Sequence, residues 1–127
     1  MKIIVDIECN SLINPSKIWC IVCKDIDTNK YYIFREDNLK DFSTFAKSVN
    51  QWIGHNFLGY DYPVLHNLLG LVVPDIADCT IDTLIISKLV DYSRPLKHSI
   101  EAYGEEFGLP KIKFSDWTQY SKEMEDY

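Results

Sequence analysis

Two carboxylates lie two residues apart inside an aliphatic, β-branched run, Ile3-Ile4-Val5-Asp6-Ile7-Glu8-Cys9. Such a run favours a strand, read over residues 3–7, and strand side chains alternate between faces. Asp6 and Glu8 therefore share one face, while Ile3, Val5 and Ile7 share the other and demand a core. Like charges at this spacing repel unless their face is wet or a cation lies between them. An edge strand with one solvated face meets that condition. So does a site for a hard divalent ion, because carboxylate oxygens suit Mg²⁺ or Mn²⁺.

A second polar cluster interrupts another apolar run, Trp52-Ile53-Gly54-His55-Asn56-Phe57-Leu58-Gly59-Tyr60-Asp61-Tyr62-Pro63. A short strand leads into a glycine-containing loop, and Val64, Leu65, Leu68 and Leu69 then recur at helical spacing. This places Asp61 in the first turn of a helix, where unpaired N–H groups favour a carboxylate. Capping that helix is one role for Asp61, with Pro63 an ordinary first-turn residue. Joining Asp6 and Glu8 in one site is the other.

Two further segments follow in order: Ile81-Asp82-Thr83-Leu84, and His98-Ser99-Ile100-Glu101-Ala102. The series Asp-Ile-Glu, His-Asn-x-x-x-Tyr-Asp-x-Pro, Asp-Thr-Leu and His-x-x-Glu-Ala resembles the DnaQ-like, or DEDD, 3′–5′ exonucleases. It looks most like the proofreading domain of phage family A (polymerase I-like) DNA polymerases. Each motif is short, but the four stand in the family's order along nearly the whole chain. The resemblance implies an α/β, ribonuclease H-like fold, a mixed central sheet flanked by helices. It also implies two-metal hydrolysis of a single-stranded DNA 3′ end to nucleoside monophosphates. By the same resemblance Asp6, Glu8 and Asp61 would hold Mg²⁺ or Mn²⁺, and Tyr127 would orient the attacking water. Asn56 and Tyr60 would position the terminal nucleotide. His98 would contact substrate phosphate or a site carboxylate, or else simply start a helix. Asp82 reads as a cap or an anchor rather than a ligand.

The family's third exonuclease motif is Tyr-x-x-x-Asp. The sequence here closes on Glu123-Met124-Glu125-Asp126-Tyr127, with Tyr127 in the place of the motif's Tyr. The motif's Asp would lie four residues further on. The expectation is thus a single domain, residues 1–127, ending within the third motif. It would be a piece of a longer polymerase or a short product whose site is finished elsewhere. Loss of one ligand carboxylate costs orders of magnitude in rate, so little nuclease activity is expected from these residues alone. Two alternatives stand beside this one: a free-standing DEDD ribonuclease, and a catalytically incomplete module that binds nucleic acid or docks a polymerase.

Charge bears on that choice. A net charge of −6 is unlike a self-sufficient nucleic-acid binder, which carries a basic face. Weak intrinsic DNA affinity suits a domain handed its substrate by a polymerase domain or subunit, attached or separate. At 127 residues and 46% hydrophobic content the chain suffices for one core. Cys9, Cys20, Cys23 and Cys79 show neither disulfide nor zinc spacing and read as free thiols in a reducing cytoplasm, the host's if the protein is phage-encoded. The apolar runs are too short for a signal peptide or a membrane span.

Elsewhere, Ile18–Lys24 and Tyr31–Phe34 read as strands joined by a polar hairpin turn. Asp25, Asp27, Asn29 and Glu36 match some calcium-loop positions, but Lys30 replaces the required glycine and the flanks are strands. Phe42, Phe45, Ala46 and Val49 mark a helix, and Gln51–Gly54 a strand. Ile81, Leu84, Ile85 and Leu89 form a helical stripe after a loop, and Ile100, Tyr103 and Phe107 form another, closed by Gly108 and Pro110. Ser115 is expected to cap a last helix carrying Trp117, Tyr120, Met124 and Tyr127 on one face. Those aromatics suit core packing better than base stacking.

Overall fold

The alternation along the first run becomes strand β1 (Lys2–Cys9), with Ile3, Val5, Ile7 and Cys9 buried and Asp6 exposed on the opposite face. In the computed structural model, which describes residues 1–127, β1 is the middle of a five-stranded sheet. Its partners are β2 (Ile18–Asp25), β3 (Tyr31–Phe34), β4 (Gln51–Gly54) and β5 (Thr80–Asp82), in the order β3-β2-β1-β4-β5. The β1–β2 and β2–β3 pairs are antiparallel, whereas β1–β4 and β4–β5 are parallel. The sheet is mixed, as expected. The hairpin between β2 and β3 turns on Asp25, whose carboxylate accepts from the backbone N–H groups of Asp27 and Thr28. That carboxylate is occupied as a turn former rather than as a calcium ligand.

Helical segments on either side of β4 cover the face opposite Asp6 and Glu8. The segment read as a helix around Phe42 is a 3₁₀ turn, Leu39–Asp41, running into α1 (Phe42–Ala46). Helix α2 (Tyr62–Leu69) supplies Val64 and Leu65 to the same core and ends at Gly70, in the left-handed conformation. Between them Trp52 and Phe57 stack with ring centroids 5.6 Å apart. Trp52, Phe42 and Phe57 are fully buried, each contributing roughly 2–3 kcal/mol of hydrophobic stabilisation. The remaining helices are α3 (Thr83–Val90), α4 (Ile100–Glu106) and α5 (Glu123–Asp126).

Two elements differ from expectation. Ile81 belongs to β5, not to the helical stripe that continues through Leu84 and Ile85. Three residues are too few to show alternation, and pairing with Trp52–Gly54 of β4 decides the matter. The last helix spans only Glu123–Asp126, and Ser115 caps nothing. Asp116 instead folds the preceding chain into a turn, its carboxylate accepting from the Thr118 N–H and hydroxyl. Such side-chain bonds compete with helix formation. Part of the apolar stripe still packs inward, with Met124 buried and Trp117 and Tyr127 half-buried. Met124 packs with Trp19 and Cys20, Trp117 and Phe114 pack against them, and the Trp19 indole N–H donates to the Trp117 carbonyl at 3.0 Å. Tyr120 turns away towards Arg35 and Glu125.

In α3 only Ser87 is buried; Ile85 and Ile86 are 45% exposed, Leu89 and Val90 80%. Ser87 bonds to His98 Nδ1 at 2.6 Å and to the Tyr103 hydroxyl, tying α3 to the start of α4. Cys9, Cys20 and Cys23 are buried free thiols, and Cys79 is half-buried and also free. No helix is long and apolar enough to cross a membrane.

Candidate functional site

Strand β4 pairs with β1 only along Lys2, Ile3 and Ile4. Beyond Ile4, β1 is paired on one side alone, with Asp6 opposite Val22 and Glu8 opposite Cys20 of β2. The two acids therefore stand on a half-free strand. A β-bulge between Glu8 and Cys9 then bends the strand away.

Asp61 reaches this strand by a π-helical turn, Phe57–Asp61, which precedes α2 and packs on β1. The turn begins at Asn56, left-handed at φ 58°, a conformation that asparagine tolerates better than most residues. A Cβ at Gly59 would come within 2.4 Å of the Asn56 side-chain oxygen, so a larger residue there would push that side chain aside. The extra π turn puts Asp61 in continuous helical backbone, where its side chain makes no capping bond. It is 5% exposed and faces the strand acids. Helix capping is thus not its role.

Asp82 holds the turn in place. Its carboxylate, 4% exposed, accepts from the backbone N–H of Asn56 (2.9 Å), Leu58 (3.0 Å) and Leu84 (3.0 Å). It caps α3 and anchors the loop that delivers Asp61. Next to it, His55 Nδ1 lies 3.0 Å from the Thr83 hydroxyl, which also donates to the Gly54 carbonyl.

Asp6, Glu8 and Asp61 line one cavity of about 420 Å³ with Tyr60, Lys111, Trp117 and Tyr127. The cavity joins β1, the π turn and the C-terminal segment. Burial, reinforced by the other carboxylates, raises both Glu8 and Asp61 to about 8. Asp6 stays open to water through the cavity mouth, but protein atoms crowd its other sides and raise it too, with Lys111 opposing. Asp6 and Glu8 lie close enough to share a hydrogen bond. The cavity is thus lined by three acids that hold protons more tightly than usual, with no ion-paired cation among them.

The donor set fits Mg²⁺ or Mn²⁺ in kind, being hard, oxygen-based and reachable by water. As they are placed, no three His, Cys, Asp or Glu side chains stand close enough together to hold a metal ion between them. Coordination by one or two carboxylates with several waters is the ordinary habit of Mg²⁺.

Of the residues singled out in the sequence, Asp6, Glu8, Asp61, Tyr60 and Tyr127 come together here. The Tyr60 hydroxyl donates to the Ser11 carbonyl at 2.9 Å, and Tyr127 packs edge-on against Trp117. Asn56 and His98 do not line the cavity. Asn56 is engaged in the turn, and His98 bridges Ser87 and the Tyr92 carbonyl. Lys111 was not foreseen. Nothing in Gly108-Leu109-Pro110-Lys111 announces where the chain after α4 returns to the strand.

No protein-family model and no curated protein match the chain. Among solved structures it is similar to the family B DNA polymerase from the hyperthermophilic archaeon Pyrobaculum calidifontis. The TM-score is 0.60 at 16% identity, covering 84% of this chain and 18% of the polymerase. At that identity the likeness shows the fold: an α/β domain with a mixed sheet, compatible with the ribonuclease H-like architecture and found within a DNA polymerase. The chain spans less than a fifth of that polymerase. The family A likeness rests on the sequence motifs alone.

Proposed function

We propose that the chain is the 3′–5′ exonuclease portion of a DNA polymerase, acting on single-stranded DNA 3′ ends with Mg²⁺ or Mn²⁺. The observation that carries this reading is the convergence of Asp6, Glu8 and Asp61, from two separate elements, on one water-accessible cavity. Its volume lies in the range of small-molecule sites. When bound, divalent ions lower the pKa of water and stabilise the departing oxygen of a phosphodiester. Asp6 and Glu8 hold the ions from the rigid strand, and Asp61 closes the site from the π turn. Tyr127, its ring fixed by Trp117 and Phe114, orients the attacking water. Tyr60 borders the place of the terminal nucleotide.

In this reading an Asp four residues past Tyr127 completes the ligand set, and the 127 residues alone turn over slowly or not at all. The test is release of nucleotide from 3′-labelled single-stranded DNA with Mg²⁺ and then Mn²⁺. It compares the chain itself, the chain extended to supply that Asp, the same extension carrying Asn, and Asp6→Asn in the extended chain. Activity only in the Asp extension, lost with Asp6→Asn, is expected. Equal activity in the chain and its extension refutes the need for the added carboxylate, and activity insensitive to Asp6→Asn refutes the site. An RNA oligonucleotide in the same assay decides between DNA and RNA.

The exposed apolar side of α3 favours a second reading, a polymerase-docking module without catalysis. No hydrolysis by any form, together with no metal-dependent rise in melting temperature, would favour it.

A further inference from the structure

Lys111 is the one positively charged residue that lines the cavity of the three carboxylates. Its position is built by the fold. Gly108 adopts φ +74° to end α4, and the Leu109 N–H donates back to the Gly104 carbonyl at 2.7 Å. A Cβ at Gly104 would lie 2.5 Å from the Leu109 carbonyl oxygen, so this close return of the chain depends on glycine there. Pro110 then stiffens the approach, and the Lys111 ammonium comes to rest 3.8 Å from the centroid of the Tyr127 ring.

An ammonium among three carboxylates would ordinarily be explained as their ion-pair partner. The geometry denies this. The three ion pairs of the chain are Lys17–Glu36, Arg35–Glu125 and Arg94–Glu106, and Lys111 enters none of them. It is held instead by the face of an aromatic ring, an interaction that orients an ammonium without consuming its N–H donors. Its charge reaches Asp6 and Glu8 across the cavity, and its donors remain free.

A cavity walled by carboxylates repels a polyanionic strand unless some group of opposite sign offers the phosphate a place. We propose that Lys111 is the phosphate-binding residue of this site, holding a phosphate of the terminal nucleotide across the cavity from Asp6 and Glu8. This rests on the nuclease reading of the cavity and adds the group that seats its substrate. A compact ammonium on a flexible stem suits a single phosphate oxygen, whereas a bidentate fork would favour a planar pair.

The test is binding rather than turnover, so it does not depend on a complete catalytic set. Fluorescence anisotropy of a 5′-labelled single-stranded oligonucleotide is followed in Ca²⁺ over a range of salt concentrations. The wild type is compared with Lys111→Met, Lys111→Arg and Asp6→Asn. Methionine keeps an apolar stem on Tyr127, and an unchanged melting temperature checks the fold. One lost phosphate contact lowers the salt slope by about 0.7 for a single strand and weakens binding about 5–10-fold at low salt. That change in slope, restored by arginine, is expected; a purely structural lysine would not move it. A wild-type slope in Lys111→Met, with Ca²⁺-dependent binding still lost in Asp6→Asn, overturns the assignment and leaves the nuclease reading standing. No oligonucleotide binding by the wild type overturns both.

Discussion

Replacing Asp61 with Asn tests whether the cavity is an electrostatic liability kept for metal binding. Asp61 titrates at about 8 in the folded protein, against a carboxyl's ordinary 3.8, because burial and then the charges of Asp6 and Glu8 disfavour its ionised form. The folded state therefore binds more protons than the unfolded chain between about pH 4 and pH 8. Since ∂ΔG/∂pH follows protons bound in the unfolded minus the folded state, Asp61 makes stability fall as pH rises through that window. A shift of about four units is worth at most about 5–6 kcal/mol at 1.36 kcal/mol per unit. Asp6 and Glu8 can hold protons in its stead, so about 2–3 kcal/mol is the expected share of Asp61 itself. In a chelator, urea unfolding should show Asp61→Asn equal to wild type near pH 4 and more stable by that amount at pH 8. Adding Mn²⁺ at pH 8 should reverse the order, because the ion stabilises only the intact acid set. Equal stabilities at pH 8 without metal would refute the reasoning, since Asp61 would then be ionised at no cost.

Other outcomes follow from the same geometry. Asp82→Ala strands the N–H groups of Asn56, Leu58 and Leu84, and chemical denaturation should show a loss of about 3–4 kcal/mol, less for Asp82→Asn. The Mn²⁺-induced rise in melting temperature should grow from pH 6 to pH 8 as Glu8 and Asp61 yield their protons, and flatten above; a constant rise would mean that other groups bind the ion. Burial pushes Cys9 up to about 11 and Cys20 to about 12, and raises Cys23 as well. A thiol reagent at pH 8 should therefore label Cys79 first in the folded protein and all four thiols in denaturant; rapid labelling of Cys20 or Cys23 would contradict the packing.

How much was legible beforehand depended on the length and spacing of each signal. Strands β1 to β4 carried four to eight residues of alternating or apolar pattern; the bounds of β2 to β4 were nearly recovered, whereas β1 begins before and ends beyond the expected 3–7. Strand β5 was too short, and Ile81 also fitted the helical stripe of α3. The late stripe of Trp117, Tyr120, Met124 and Tyr127 had helical spacing, yet only Met124 is buried and helical, while the Asp116 turn leaves Trp117 and Tyr127 half-buried in a cluster with Phe114. The acids of β1 were evident because period two needs only local geometry. Asp61 was joined to the acids of β1 by the order of the motifs and not by local geometry, for the π turn that aims it is held by the distant Asp82. Lys111 could not be foreseen, because its place is set by a chain reversal whose contacts are all tertiary.

The half-free state of β1 has a consequence beyond chemistry. A central strand that outruns its neighbour leaves a row of unpaired amides and carbonyls, the feature by which sheets recruit strands from other molecules. Here the π turn that carries Asp61 lies against that stretch, and the Tyr60 hydroxyl pins the turn to Ser11 just beyond it. The same few residues that complete the acid cluster thus also shield the sheet from growing by addition of another chain. Loosening them should show itself first as self-association on storage, before any change in the folded core.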